Sequence, residues 1–150
     1  SRPIMKSVTC PSPNQSVGQQ RSFSRHAVAL VATCVLAVTI AVLTLSATNP
    51  ALGGSEWDKL YHFTAFAALV FPCALLYARA LVWILPAALL FGGVIELIQP
   101  YVGRAGERAD FLADILGVGF GAALGLAVRA VSARRTKARA IAGTKIRTPQ

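Results

Sequence analysis

Charge is scarce in this chain. Only 14% of its 150 residues are Asp, Glu, Lys or Arg, against about 25% in soluble domains. Together with a hydrophobic fraction of 55%, this argues against a soluble enzyme and for a protein embedded in lipid. Acidic residues are the scarcest. There are 6, all between Glu56 and Asp114, against 15 Lys and Arg, for a net charge of +9. That balance invites a nucleic-acid reading, but Phe23 is the one aromatic side chain among the tail charges, and nucleic acid is set aside. Cysteine is also sparse: Cys10, Cys34 and Cys73 are odd in number and form no CxxC pair. This excludes a disulfide framework and speaks against redox or thiolate-metal chemistry, leaving ordinary packing thiols. No HExxH or Walker-type segment occurs, and no Ser or Cys nucleophile stands beside His62.

What is present is apolar length. Residues 27–47, AVALVATCVLAVTIAVLTLSA, carry no charge and reach the roughly 20 residues a bilayer core requires. A cleaved signal peptide is the rival reading, since Arg21 and Arg25 precede the run. The run exceeds the roughly 7–15 residues of a signal core, which favours a retained helix. A loop with Pro50, Gly53 and Gly54 follows. Further spans are expected from Trp57 to Ala78, with a kink at Pro72, from Leu81 to Gln99, interrupted by Pro86 and softened by Gly92 and Gly93, and from Phe111 to Val131. The expected fold is all-α, a bundle of four transmembrane helices over 27–131. Residues 1–26, with Pro3, Pro11 and Pro13, read as a disordered tail. Residues 132–150 read as a basic tail with helical character where it meets lipid.

The basic surplus lies in the two tails, Arg2 to Arg25 and Arg129 to Arg147, with Arg79 alone in the turn between spans two and three. With four spans these all fall on one side, so the rule that short cytoplasmic loops are basic puts both termini in the cytoplasm, touching anionic lipid. That topology brings scattered polar groups to one extracytoplasmic layer. Asp58, Lys59 and His62 open span two, Glu96 and Gln99 close span three, Arg104 lies in the outer hairpin with Glu107 and Arg108, and Asp110 and Asp114 open span four. The pairs Asp58/His62 and Asp110/Asp114 are each four residues apart and so share a helix face. Ala113, Gly117, Gly121 and Gly125 place small residues at every fourth position of span four, a pattern that lets helices approach closely. Asp110, Asp114, Gly117 and Gly121 fall within a sector of roughly 60°, so the carboxylates are expected to point into the bundle.

Ionisable groups inside a membrane are costly and usually serve a purpose. Three uses stand open. One is a structural lock, with Arg104 or Lys59 paired to the carboxylates. Another is a site that recognises a ligand. The last is an acid/base site, with His62, Glu96 or Asp110 moving the proton and Arg104 holding an anionic group. Carboxylates plus His can also ligate a divalent cation, although no cofactor or metal is assigned from the sequence.

These residues carry a family resemblance. Asp58-Lys59-Leu60-Tyr61-His62-Phe63 resembles the DK-x-x-HF motif of VanZ-like proteins, and Glu96-Leu97-Ile98-Gln99 resembles their E-x-x-Q. Gly103-Arg104, then Asp110-x-x-x-Asp114 and Gly117, are similar to their closing GR…D-x-x-x-N-x-x-G pattern. The match covers roughly residues 27–131. Asp114 stands where the family often has Asn, which favours a cation or an Arg partner there. The resemblance implies a small polytopic protein of the bacterial inner membrane. It also implies a link to glycopeptide (teicoplanin) resistance, through the family's name-giving member, but no particular reaction. The expected role is recognition of an anionic or sugar-bearing envelope component, such as a cell-envelope precursor or glycan, through Arg104, His62 and the carboxylates.

Overall fold

The computed structural model describes residues 13–46, 56–103 and 107–146, and every element among them is helical. Helix α1 runs Pro13–Leu45, α2 Glu56–Leu76, α3 Leu81–Ile98 and α4 Arg108–Ile146. A 3-10 turn at Ala78–Ala80 links α2 to α3, and a second at Gln99–Val102 closes α3. All four helices contain a stretch long and apolar enough to cross a membrane: Ser24–Leu45, Trp57–Leu76, Ala78–Val102 and Arg108–Arg139. The chain is a multi-pass membrane protein. Large apolar side chains such as Val38, Leu60, Trp83, Leu97 and Leu116 are exposed on the outside of the bundle, where a lipid-facing surface belongs.

One expectation about the helix ends is corrected: the N-terminal segment expected to be disordered over 1–26 is helical from Pro13 onward. Helix α4 starts ahead of Phe111, and the helical character expected beyond Val131 takes the form of an unbroken continuation to Ile146. Residues 1–12 and 147–150 lie outside the described residues. The physical reason for the extension is cooperativity. An apolar span has already formed the costly first turn, so each added residue costs only its own ordering. The Ala, Arg and Lys of 133–142 are also good helix formers. At about 1.5 Å per residue, the 39-residue α4 is about 58 Å long, well beyond a bilayer core of about 30 Å.

The bundle is organised on the pairing of α2 with α4. Built Cβ atoms at Gly117 and Gly121 would collide with the backbone carbonyls of Phe63 and Ala67, and one at Gly125 would meet Ala74 and Phe71. The partners advance in steps of four on both helices in the same direction, so α2 and α4 run parallel. The single intervening crossing, α3, demands that direction. Helix α3 returns antiparallel: Gly92 faces Phe66, while Ala88 lies with Leu69 and Thr33 around one small apolar cavity. Phe66, Leu69, Val70, Ala74, Ala88, Ile95 and Val118 make the core. Helix α1 docks on α2 through Thr33, whose hydroxyl donates to the Leu69 carbonyl at 3.3 Å and also contacts Cys73 Sγ at 3.3 Å. Cys73 is thus a buried packing thiol and Cys34 is exposed, both free, while Cys10 lies outside the described residues.

Candidate functional site

The parallel register that seats Gly117 against Phe63 also decides what happens one turn earlier on each helix. There the facing residues are Asp58 and His62 on α2 and Asp110 and Asp114 on α4. All four are buried, and His62 and Asp114 retain only 2% and 0% exposure. His62 Nδ1 lies 3.0 Å from Asp114 Oδ1. With Asp114 ionised, Nδ1–H donates to it, and in the neutral imidazole the second ring nitrogen, Nε2, then carries the lone pair. Helix α3 brings Glu96, half-buried, to the same place, and the 3-10 turn behind it buries Gln99 completely.

Satisfaction is incomplete. Among the described residues, His62 Nε2, Glu96 Oε1, Asp110 Oδ1, Asp114 Oδ2 and both amide atoms of Gln99 are buried without a hydrogen-bond partner. Leaving so many polar groups unpaired in a small bundle costs roughly 1–3 kcal/mol each, more for charged groups. Interiors carry such groups when a ligand completes them. Ligand atoms of Asp58, His62 and Asp110 stand within 4.8 Å of one another, as do those of His62, Glu96 and Asp114.

Among the residues expected from the sequence, the structure assembles Asp58, His62, Glu96, Asp110 and Asp114, with buried Gln99 at the end of α3. Lys59 is half-buried on α2, while Glu107 and Arg108 are exposed. Arg104 lies outside the described residues. Ala113, Gly117, Gly121 and Gly125 are buried on the same side of α4 as the aspartates. One participant escaped the sequence reading. Gly92 was expected only to soften α3, yet a Cβ there would stand 2.7 Å from Asp114 Oδ2 and 3.2 Å from the Phe66 ring. Its absence of a side chain is what admits the Asp114 carboxylate between α3 and α4. Gly92 precedes Glu96 by one turn, which was the available signal. Gly103, already singled out beside Arg104, has a structural part: its φ of +80° closes the 3-10 turn in a left-handed conformation that costs a side-chain-bearing residue roughly 1–2 kcal/mol.

The opposite end of the bundle has its own polar group, also missed. His26 stacks on Tyr77 with ring centroids 4.0 Å apart. The two rings, with Ala78, Arg79 and Arg129, line a cavity of about 340 Å³. Along α2 this lies some 15 residues, about 22 Å, from His62. The buried carboxylates and the Arg79 and Arg129 side chains therefore lie at opposite ends of the helices.

Chemically, the acidic end can hold a cation, accept hydrogen bonds from hydroxyls or amines, or move a proton through His62. Among the described residues, no hydroxyl or thiol is buried with it; Thr33 and Cys73 are engaged with each other elsewhere. No family model, no curated protein and no solved structure matches this chain.

Proposed function

We propose that this chain is a VanZ-like protein of a bacterial inner membrane, with both termini cytoplasmic, whose His–carboxylate layer faces the periplasm and recognises a sugar-bearing component of the cell envelope. The observation that carries this reading is the set of inward-facing acceptors from three helices, buried at one end of the bundle and left unpaired among the described residues. A layer built only to lock helices together would consume those atoms in internal pairs. The charge segregation supports the orientation, since Arg79, Arg129 and the basic continuation of α4 share the end away from the carboxylates. Four carboxylates around one imidazole repel a bare anion, so hydroxyl-rich sugar is a better match than an anionic group. The envelope role is linked to teicoplanin susceptibility.

Near-isosteric variants test this. His62→Gln and Asp110→Asn keep volume and hydrogen bonding, so both should accumulate in the membrane at wild-type levels. Each should abolish the change in teicoplanin susceptibility that the wild-type gene confers on a host lacking it. If the wild-type gene confers no change, or the variants retain it in full, the reading is wrong. Susceptibility that falls only in step with protein abundance points to a scaffold instead.

An intramembrane acid/base enzyme acting on a lipid-linked substrate is the second reading. It is favoured by one feature, the Asp114–His62 pair, which holds the imidazole with Nε2 free to accept a proton among the described residues.

A further inference from the structure

We propose that Asp58, His62 and Asp110 bind one divalent ion of borderline softness, for which Zn2+ is the probe, and that Asp114 acts by orienting His62. The inference rests on reading the layer as a ligand site, and not on which envelope component is recognised there.

Geometry comes first. Asp58 and His62 share a face of α2, and parallel packing sets Asp110 of α4 beside them, so that one ligand atom from each lies within 4.8 Å of the other two. Donors each about 2.0–2.1 Å from a tetrahedral zinc stand about 3.4 Å apart. The trio therefore needs to close by up to about 1.4 Å, a distance that side-chain rotation can cover.

The second observation concerns the imidazole itself. His62 is 2% exposed, yet its Nε2 has no hydrogen-bond partner among the described residues, and neither does Asp110 Oδ1. Its Nδ1 is meanwhile held at 3.0 Å by the Asp114 carboxylate. A histidine that binds metal through one nitrogen usually donates from the other to a carboxylate or carbonyl, which fixes the ring and raises the basicity of the ligating nitrogen. His62 has this arrangement at both nitrogens.

Charge supplies the need and chemistry the identity. The buried Asp110 carboxylate, whose Oδ1 has no hydrogen-bond partner among the described residues, requires compensation in a low-dielectric interior, which a divalent ion supplies. One imidazole with two carboxylates suits zinc or manganese. Calcium takes six to eight oxygens, and magnesium prefers to keep several of its waters. The alternative trio of His62, Glu96 and Asp114 would share the same imidazole. It would engage Asp114 through Oδ2 while Oδ1 holds Nδ1, and the Glu96→Gln and Asp58→Asn arms of the test below tell the two sets apart. Three protein ligands leave a fourth zinc position open, and that is where a sugar hydroxyl could meet the ion.

The full chain, purified in detergent and stripped with chelator, should bind one Zn2+ in equilibrium dialysis read by elemental mass spectrometry. His62→Gln, Asp58→Asn and Asp110→Asn should each weaken binding by at least about 100-fold. Asp114→Asn, which removes no ligand, should weaken it about 10–100-fold. Should His62→Gln fail to fold, the melting temperature of the wild-type chain decides instead: saturating Zn2+ should raise it, and should raise that of Asp58→Asn far less. No stoichiometric Zn2+ on the wild type, no Zn2+-dependent rise in its melting temperature, or loss on Glu96→Gln with Asp58→Asn unaffected would overturn the proposal. The susceptibility assay is read in cells without reference to metal, so failure of the ion and failure of envelope recognition are separable.

Discussion

Gly117→Leu will stop the bundle from assembling. A Cβ at this position would overlap the carbonyl oxygen of Phe63, and the Cα and carbonyl carbon behind it are also in the way. Extra methylenes in a packed interior usually cost about 1–3 kcal/mol because side chains can shift. Here the obstacle is backbone of a neighbouring helix, so the cost should pass about 3 kcal/mol. In a chain whose total stability is of order 5–15 kcal/mol, that shows as a collapse in membrane abundance and loss of a monodisperse peak in detergent. Gly121 meets Ala67 in the same way, whereas a Cβ at Gly119 has open space. Gly119→Leu is therefore the matched control and should accumulate normally. If Gly117→Leu were as abundant as Gly119→Leu, α2 and α4 do not pack as described.

His62→Leu carries the second large effect. It leaves the Asp114 carboxylate buried at 0% exposure without the imidazole 3.0 Å away. Removing one partner of a buried pair costs about 3–5 kcal/mol, whereas replacing both partners with apolar residues is often neutral or stabilising. His62→Leu alone should thus lower the melting temperature sharply. The double variant His62→Leu/Asp114→Leu should recover most of the loss while conferring no change in teicoplanin susceptibility. That combination would show the pair to be dispensable for folding and required for function. A double variant that stays as unstable as the single would return the pair to a purely structural role.

The sequence made the spans legible because bilayer thickness translates directly into apolar length, and the residues that overshoot it were harder to read. Residues 13–24 and 132–146 look like tails by composition, since they have no apolar surface to bury. They are helical because they prolong helices already nucleated inside lipid. The spacing of four between Asp58 and His62, and again between Asp110 and Asp114, was enough to place each pair on one face. It said nothing about which turn of α2 faces which turn of α4. That register is decided by where glycines let backbones touch, a tertiary fact expressed in the Phe63 and Ala67 carbonyls. Gly92 was opaque for the same reason, because its role depends on an Asp114 carboxylate arriving from another helix.

The central claim is that His62 and Asp114 meet inside the bundle, and cross-linking tests it directly. In a chain with Cys10, Cys34 and Cys73 replaced by serine or alanine, cysteines are placed at 62 and 114. A second pair is placed at 61 and 114, since Tyr61 is 55% exposed on the outer surface of α2. A short bis-thiol reagent applied to membranes should bridge 62 with 114 and leave 61 with 114 unlinked. Efficient bridging of 61 with 114, and none of 62 with 114, would turn the polar faces toward lipid and contradict the account.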